Sequence, residues 1–169
     1  MASSHKKAIV RLHTSDLLPG YLSTAALSNS TTIEFLDLAG KVLELPLAQV
    51  KWVCFVRDFN SGEIDNPERL LKKVFAGRPR SAGVWLRMRL TDGDLIEGLA
   101  SNDIGLIAEP GLFLTPPDIR SNTQRMFVPR STIKDLEVVM VIAPAGKRKP
   151  HTIEPRKEQE SIVQESLFS

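Results

Sequence analysis

Cysteine is nearly absent from this chain of 169 residues: Cys54 is the only one. No internal disulfide and no cysteine-built zinc site follow from a single thiol. Between Val53 and Phe55 it reads as a buried thiol rather than a reactive one. Aromatic residues are scarce at 6% against a hydrophobic share of 42%, so the core must rest on Val, Leu and Ile, which favours β-structure. No run of about 20 apolar residues is available for a membrane helix, and residues 1–7 lack the apolar stretch of a signal peptide. A cytoplasmic chain of bacterial type is the expectation. Charge of one sign is also in short supply: 22 basic against 20 acidic residues leave a net charge of +2. That does not announce a nucleic-acid partner, although a local patch can outweigh the total. His5, His13 and His151 lie far apart in sequence with no metal-ligand spacing. There is no phosphate-binding loop, nucleophile elbow or dinucleotide fingerprint. No catalytic residue, cofactor or metal is therefore expected, and the chain does not read as an enzyme.

What is present is a repeat. In the stretch from Val84 to Leu99, Val84, Leu86, Met88 and Leu90 alternate with Trp85, Arg87, Arg89 and Thr91. One strand face is thus apolar and the other basic and aromatic. Asp92-Gly93 supplies a turn, and Leu95, Ile96 and Leu99 resume an extended run past Gly98. Arg11, Leu12, Asp16, Leu17 and Gly20 match Arg89, Leu90, Asp94, Leu95 and Gly98 at a constant offset of 78 residues. A second block agrees in the same order: Leu45-Pro46, Val50 and Lys51 recur as Val128-Pro129, Ile133 and Lys134 at an offset of 83. Between them, residues 111–115 match 32–36, with Leu112 and Leu114 equivalent to Ile33 and Phe35. Each copy predicts five strands. Val50 to Arg57 is nearly continuous in apolar residues and reads as a strand buried on both faces.

The expected organisation is a flexible arm over residues 1–6, a first β-unit over 7–57 and a connector over 58–83. A second β-unit follows over 84–142, and a disordered tail rich in Pro, Lys and Glu over 143–169. Within the connector, Asn66-Pro67-Glu68 has the form of a helix start, and Leu70, Leu71, Val74 and Phe75 give it an apolar face ending at Gly77.

Each unit resembles an Sm-like barrel, the fold of Sm proteins and of the RNA chaperone Hfq. The residues that carry the likeness are Met88 to Gly98, an alternating strand with an Asp-Gly turn and a bent second strand, and Phe127 to Ile133, a short turn into a final strand. The resemblance implies an all-β chain of two tandem five-stranded Sm/SH3-like barrels joined by a short helix. In the final turn this chain has Pro46-Leu47 and Pro129-Arg130, where that family places its Arg-Gly or Lys-His pair for RNA. Residues 51–59 are also similar to an uncharacterised bacterial family with an F-V-R-D-F segment.

Two classes of function follow as expectations. One is a non-catalytic binding or scaffolding module acting through protein contacts, with self-association into a homo-oligomer, because small open barrels expose strand edges. The other is RNA binding on a face made by Trp85, Arg87 and Arg89 and extended by Arg11, His13 and Arg130, where aromatic rings stack bases and arginines take phosphates. The same pattern also fits a solvated outer strand face. Arg78, Arg80 and Lys147-Arg148-Lys149 add small basic clusters that read equally as linker and tail. Arg57-Asp58 reads as a structural pair or a cap of the connector, and Asp92 and Asp94 as turn residues. A cyclic-dinucleotide receptor of the PilZ type is a further alternative. It rests on Arg78 to Gly83, where the two arginines stand closer together than that pattern has them.

Overall fold

Ten strands form where the repeat places them. A computed structural model describes residues 4–28, 31–59, 67–118 and 120–146. The first copy supplies β1 (Lys6–Leu12), β2 (Leu17–Leu22), β3 (Thr32–Asp37), β4 (Val42–Pro46) and β5 (Val50–Val56). The second supplies β6 (Gly83–Leu90), β7 (Leu95–Ala100), β8 (Gly111–Leu114), β9 (Thr123–Pro129) and β10 (Ile133–Ile142). A four-residue helix, α1 (Gly105–Ala108), interrupts the loop before β8.

The two copies agree residue by residue in pairing. Ala8 lies opposite Gly20 in β1–β2, and Leu86 opposite Gly98 in β6–β7. Ile33 lies opposite Leu45 in β3–β4, and Leu112 opposite Val128 in β8–β9. Val53 meets Val10 as Leu136 meets Met88, and both pairings carry the same bulge, before Leu12 and before Leu90. The first hairpin turn repeats as well. The Leu12 N–H donates to the Asp16 carbonyl (2.9 Å) and the Leu90 N–H to that of Asp94 (2.8 Å). At the tight position, Gly93 holds φ +93° and its counterpart Ser15 holds φ +73°. Only the second copy uses the residue that tolerates this conformation without cost.

The all-β expectation holds, and the strands of the two copies are shared between open sheets. The strands form one seven-stranded sheet, β4-β3-β2-β1-β5-β9-β8, and one three-stranded sheet, β10-β6-β7, and neither closes. The crossing point is β9. It belongs to the second copy, yet it pairs with β5 of the first, with Val53 opposite Phe127, Cys54 opposite Met126 and Phe55 opposite Arg125. A two-way backbone bridge between Leu99 and Thr115, at 3.0 and 2.8 Å, ties the sheets together. The physical cause lies in β5. All seven of its residues are buried, so both faces need cover and its outer edge needs a strand.

Two cores result, one on each side of β5. The first holds Ala8, Val10, Ile33, Phe35, Val50 and Val53 together with Phe127 from the second copy. The other is built from Leu86, Met88, Leu90, Ile96, Leu112 and Leu114, and takes Ile9, Trp52, Cys54 and Val56 from the first. The alternation of β1 predicts Ile9 on an outward face, but that face is covered by the second copy.

The connector helix is a correction. Residues 67–77 run as turns and bends without helix, and Asn66 lies outside the described residues. The connector finds its partners in the sheets instead. Thr123 donates its hydroxyl proton to the Glu68 carbonyl, and the Glu97 N–H donates to the Lys73 carbonyl at 2.8 Å. Leu70 packs on the second core. External partners satisfy the backbone as well as a helix would. Residues 1–3 of the expected arm and 147–169 of the expected tail also lie outside the described residues.

Candidate functional site

The β6 alternation gives Trp85, Arg87 and Arg89 one face, and β7 places Glu97 directly opposite Arg87. Glu97 is buried, 5% exposed, and it organises the whole face. The Trp85 indole N–H donates to one carboxylate oxygen, and Arg87 Nε donates to the other at 3.3 Å. A terminal nitrogen of Arg87 donates to Glu137 of β10, also at 3.3 Å. The hydrogen bond to Glu97 raises the Arg87 guanidinium above its ordinary value, with the charges of Glu97 and Glu137 adding to it. The Phe75 ring from the connector meets Trp85 edge-on at 5.5 Å. Arg89 is exposed.

The other three candidates lie elsewhere. Arg11 is ion-paired with Glu68, itself 2% exposed, and Glu68 also accepts from the Trp52 indole N–H at 2.6 Å. His13 is exposed, with its Nε2 3.5 Å from the Thr132 hydroxyl. Arg130 closes the end of α1: its Nε donates to the Glu109 carbonyl at 2.7 Å and a terminal nitrogen donates to Leu106. The six residues therefore do not meet in one patch, and four of them are committed to internal partners. Arg78 and Arg80 are exposed on the connector. The Arg57-Asp58 backbone is held by Asn122, whose side chain accepts from the Asp58 N–H at 3.1 Å. Lys147, Arg148, Lys149 and His151 lie outside the described residues.

A charged cleft of about 200 Å³ sits where the copies meet, lined by Arg11, Lys51, Trp52, Glu68, Lys73 and Asp94. Lys51 of β5 reaches across to the β6–β7 turn and pairs with Asp92 at 2.5 Å and Asp94 at 2.6 Å. Burial works against each charged form most strongly, yet the hydrogen bonds and mutual attraction outweigh it. They leave Lys51 above its usual range and Asp92 below its own. Asp92 and Asp94 are turn residues as expected, with the Asp94 N–H donating to the Asp92 carboxylate at 3.0 Å. The turn is also a clasp between copies. Beneath the cleft, Cys54 is fully buried, and burial first, then the Glu68 charge, pushes its thiol well above the ordinary value. It is buried, as its neighbours suggest. Among the described residues, no group of His, Cys, Asp and Glu is arranged to hold a metal, and no helix is long and apolar enough to cross a membrane.

The feature that remains unspent is an edge. Of the ten residues of β10 only Ile142 is buried. Leu136 is 46% exposed, and Val138 and Val141 are each 57% exposed. Among the described residues β10 pairs only with β6, and at the far end of the other sheet β4 pairs only with β3. On β4, Val42 is 61% exposed. A broad shallow groove of about 560 Å³, lined by Leu47, Ala48, Ile107, Pro110 and Arg130, lies between the two three-residue turns that follow β4 and β9.

Residue reasoning missed Glu68 and Glu97. A two-residue Asp92-Gly93 loop would set Glu97 opposite Met88; the loop takes in Thr91 as well and sets it opposite Arg87, so the pair could not be read from the Asp-Gly signal alone. The contact of Glu68 with Arg11 spans 57 residues and has no local signal.

The chain belongs to a family of unknown function, DUF6982, whose model matches residues 4–140. That span takes in both copies and the connector as one unit. No curated protein matches the chain, and no solved structure does.

Proposed function

We propose that this member of DUF6982 is a non-catalytic binding or scaffolding module, made of two Sm-like units, that acts through protein contacts and self-association. One observation carries this reading: a ten-residue edge strand, β10, exposes Leu136, Val138, Met140 and Val141 beside a row of backbone groups that no strand among the described residues pairs with. An edge of that kind is a ready template for adding a further strand. Natural edges are blunted by charge or shortness. Lys134, Asp135 and Glu137 supply some charge here, but the strand is long and its centre is apolar.

Light scattering coupled to size-exclusion chromatography over a range of concentrations tests this. The expected result is a mass above that of the single chain which grows with concentration. A strict monomer throughout would remove self-association, and salt-sensitive binding of single-stranded RNA by such a monomer would favour the nucleic-acid alternative.

A further inference from the structure

The two open edges are the two halves of a junction that the molecule already contains. Resting on the self-association reading above, we infer that the partner of β10 is β4 of a second copy, joined head to tail in the register of the internal β5–β9 pair.

β9 is the counterpart of β4, and β10 the counterpart of β5, both at the offset of 83. β4 meets β3 in the register in which β9 meets β8. The backbone groups that β4 leaves over are therefore those that β9 spends on β5. β10 likewise meets β6 in the register in which β5 meets β1, bulge included, so its spare groups are those that β5 spends on β9. Carrying the internal pairs across sets Leu136 opposite Glu44, Glu137 opposite Leu43 and Val138 opposite Val42. These pairs lie between the two bulges of β10. Pro46, which has no N–H to give, falls outside the paired stretch, as Pro129 does inside the chain.

Charge agrees with this register. Lys134 comes to lie at the end of the paired stretch where Glu44 meets Leu136, and Lys41 at the other end, beyond Val42 and near Glu137. Glu44 has Glu34 opposite it within its own sheet, a like-charged neighbour that a lysine from another chain would offset. Exposed apolar surface sits at the same place on both edges, at Val42 and at Leu136 and Val138.

The two junctions differ in one respect. Inside the chain, Ile9, Trp52, Cys54 and Val56 also enter the other copy's core. Their counterparts on β6 and β10 are Arg87, Asp135, Glu137 and Val139, a mostly polar set. The outer junction therefore has strand pairing without a large apolar face behind it, and association is reversible and salt-sensitive where the inner junction is permanent. Because β4 and β10 are different surfaces, the contact is heterologous and propagates, closing into a ring or continuing as a filament according to the rotation per step.

Thiol cross-linking in the full chain tests the register, with buried Cys54 giving a low background. Glu44→Cys and Leu136→Cys are prepared separately, both at exposed edge positions, and treated with a short bifunctional maleimide alone and as a mixture. The inference expects a covalent dimer in the mixture and none in either variant alone. A dimer from Leu136→Cys alone would mean that β10 pairs with β10, and would overturn the head-to-tail arrangement while leaving self-association standing. Oligomers that give no cross-link in any arm would do the same. A monomeric full chain would overturn both readings. If that monomer associates once residues 147–169 are removed, the chain's own C-terminal segment is the occupant of the edge.

Discussion

β5 and β10 close the same motif in the two copies, and their fates are opposite. All seven residues of β5 are buried, with β1 on one side and β9 on the other. β10 is longer, holds one buried residue and, among the described residues, has a strand on one side only. Their pairing with the first strand of each copy is the same from the shared bulge as far as Phe55 and Val138, beyond which β10 has a second bulge. Over that shared stretch the difference is not one of backbone conformation. It comes from what stands on the far side, and the side chains record it: Trp52 and Cys54 in the inner strand correspond to Asp135 and Glu137 in the outer one. One copy of the motif is interior by composition, while the other keeps an exposed strand.

Equivalent substitutions in the two strands should break this contrast most visibly. Phe127 is fully buried where β9 crosses to β5, and Phe127→Ala should cost about 3–5 kcal/mol through lost transfer energy and a cavity. Urea denaturation reads this directly. Val53→Ala in β5 should cost about 2 kcal/mol, whereas Leu136→Ala, at the same place in the repeat but 46% exposed, should stay within about 0.5 kcal/mol. Equal costs at the two positions would mean that β10 is covered in the free chain.

Glu68→Gln should remove about 1–3 kcal/mol by leaving Arg11 and the Trp52 indole with a poorer acceptor, again read by urea denaturation. The bent second strands offer a further pair. A Cβ at Gly20 would meet the Leu36 carbonyl and the Phe35 ring, whereas at Gly98 the nearest atoms are Leu114 Cβ at 2.9 Å and the Thr115 carbonyl oxygen at 3.2 Å. Gly20→Ala should therefore lower the melting temperature more than Gly98→Ala.

The smallest effects concern the turns. Ser15→Gly should stabilise the fold by about 0.5 kcal/mol, since Ser15 holds a positive φ that its counterpart Gly93 holds freely. At the Lys51 clasp the sign follows from the two shifts. The lowered Asp92 contributes stability above its ordinary value that is lost as pH falls through and below the aspartate range. The raised Lys51 contributes stability below its ordinary value that is lost as pH rises beyond the lysine range. Lys51→Met should flatten both flanks of a stability-against-pH curve by a small amount, because the Asp92 side chain is 43% exposed.

Much of the strand order was legible, because the Asp92-Gly93 turn, alternating strands and a Leu/Val-Pro block that occurs twice are local signals. The burial of Cys54 and of both faces of β5 was legible for the same reason: a run such as V-K-W-V-C-F-V leaves no polar face. What the chain does not write locally is which strand crosses between copies. Val-Pro at 128–129 reads like Leu-Pro at 45–46, and nothing within β9 says that its outer edge goes to β5 while that of β4 stays open. The connector shows the same limit. Pro67, Glu68 and the apolar residues after them satisfy helix rules, but Glu68 and Leu70 gain more from the seam. Trp85, Arg87 and Arg89 alternate onto one side of β6, and the charge of Arg87 is answered there by Glu97 and Glu137 from neighbouring strands.

The central claim is that β5 is permanently paired and β10 pairs by association. Hydrogen–deuterium exchange of the two strands at increasing protein concentration addresses it most directly. The account predicts that β5 is protected equally at every concentration, while protection of β10 and of β4 rises together as concentration rises. Exchange in β10 that is independent of concentration, or that slows without β4, would contradict it.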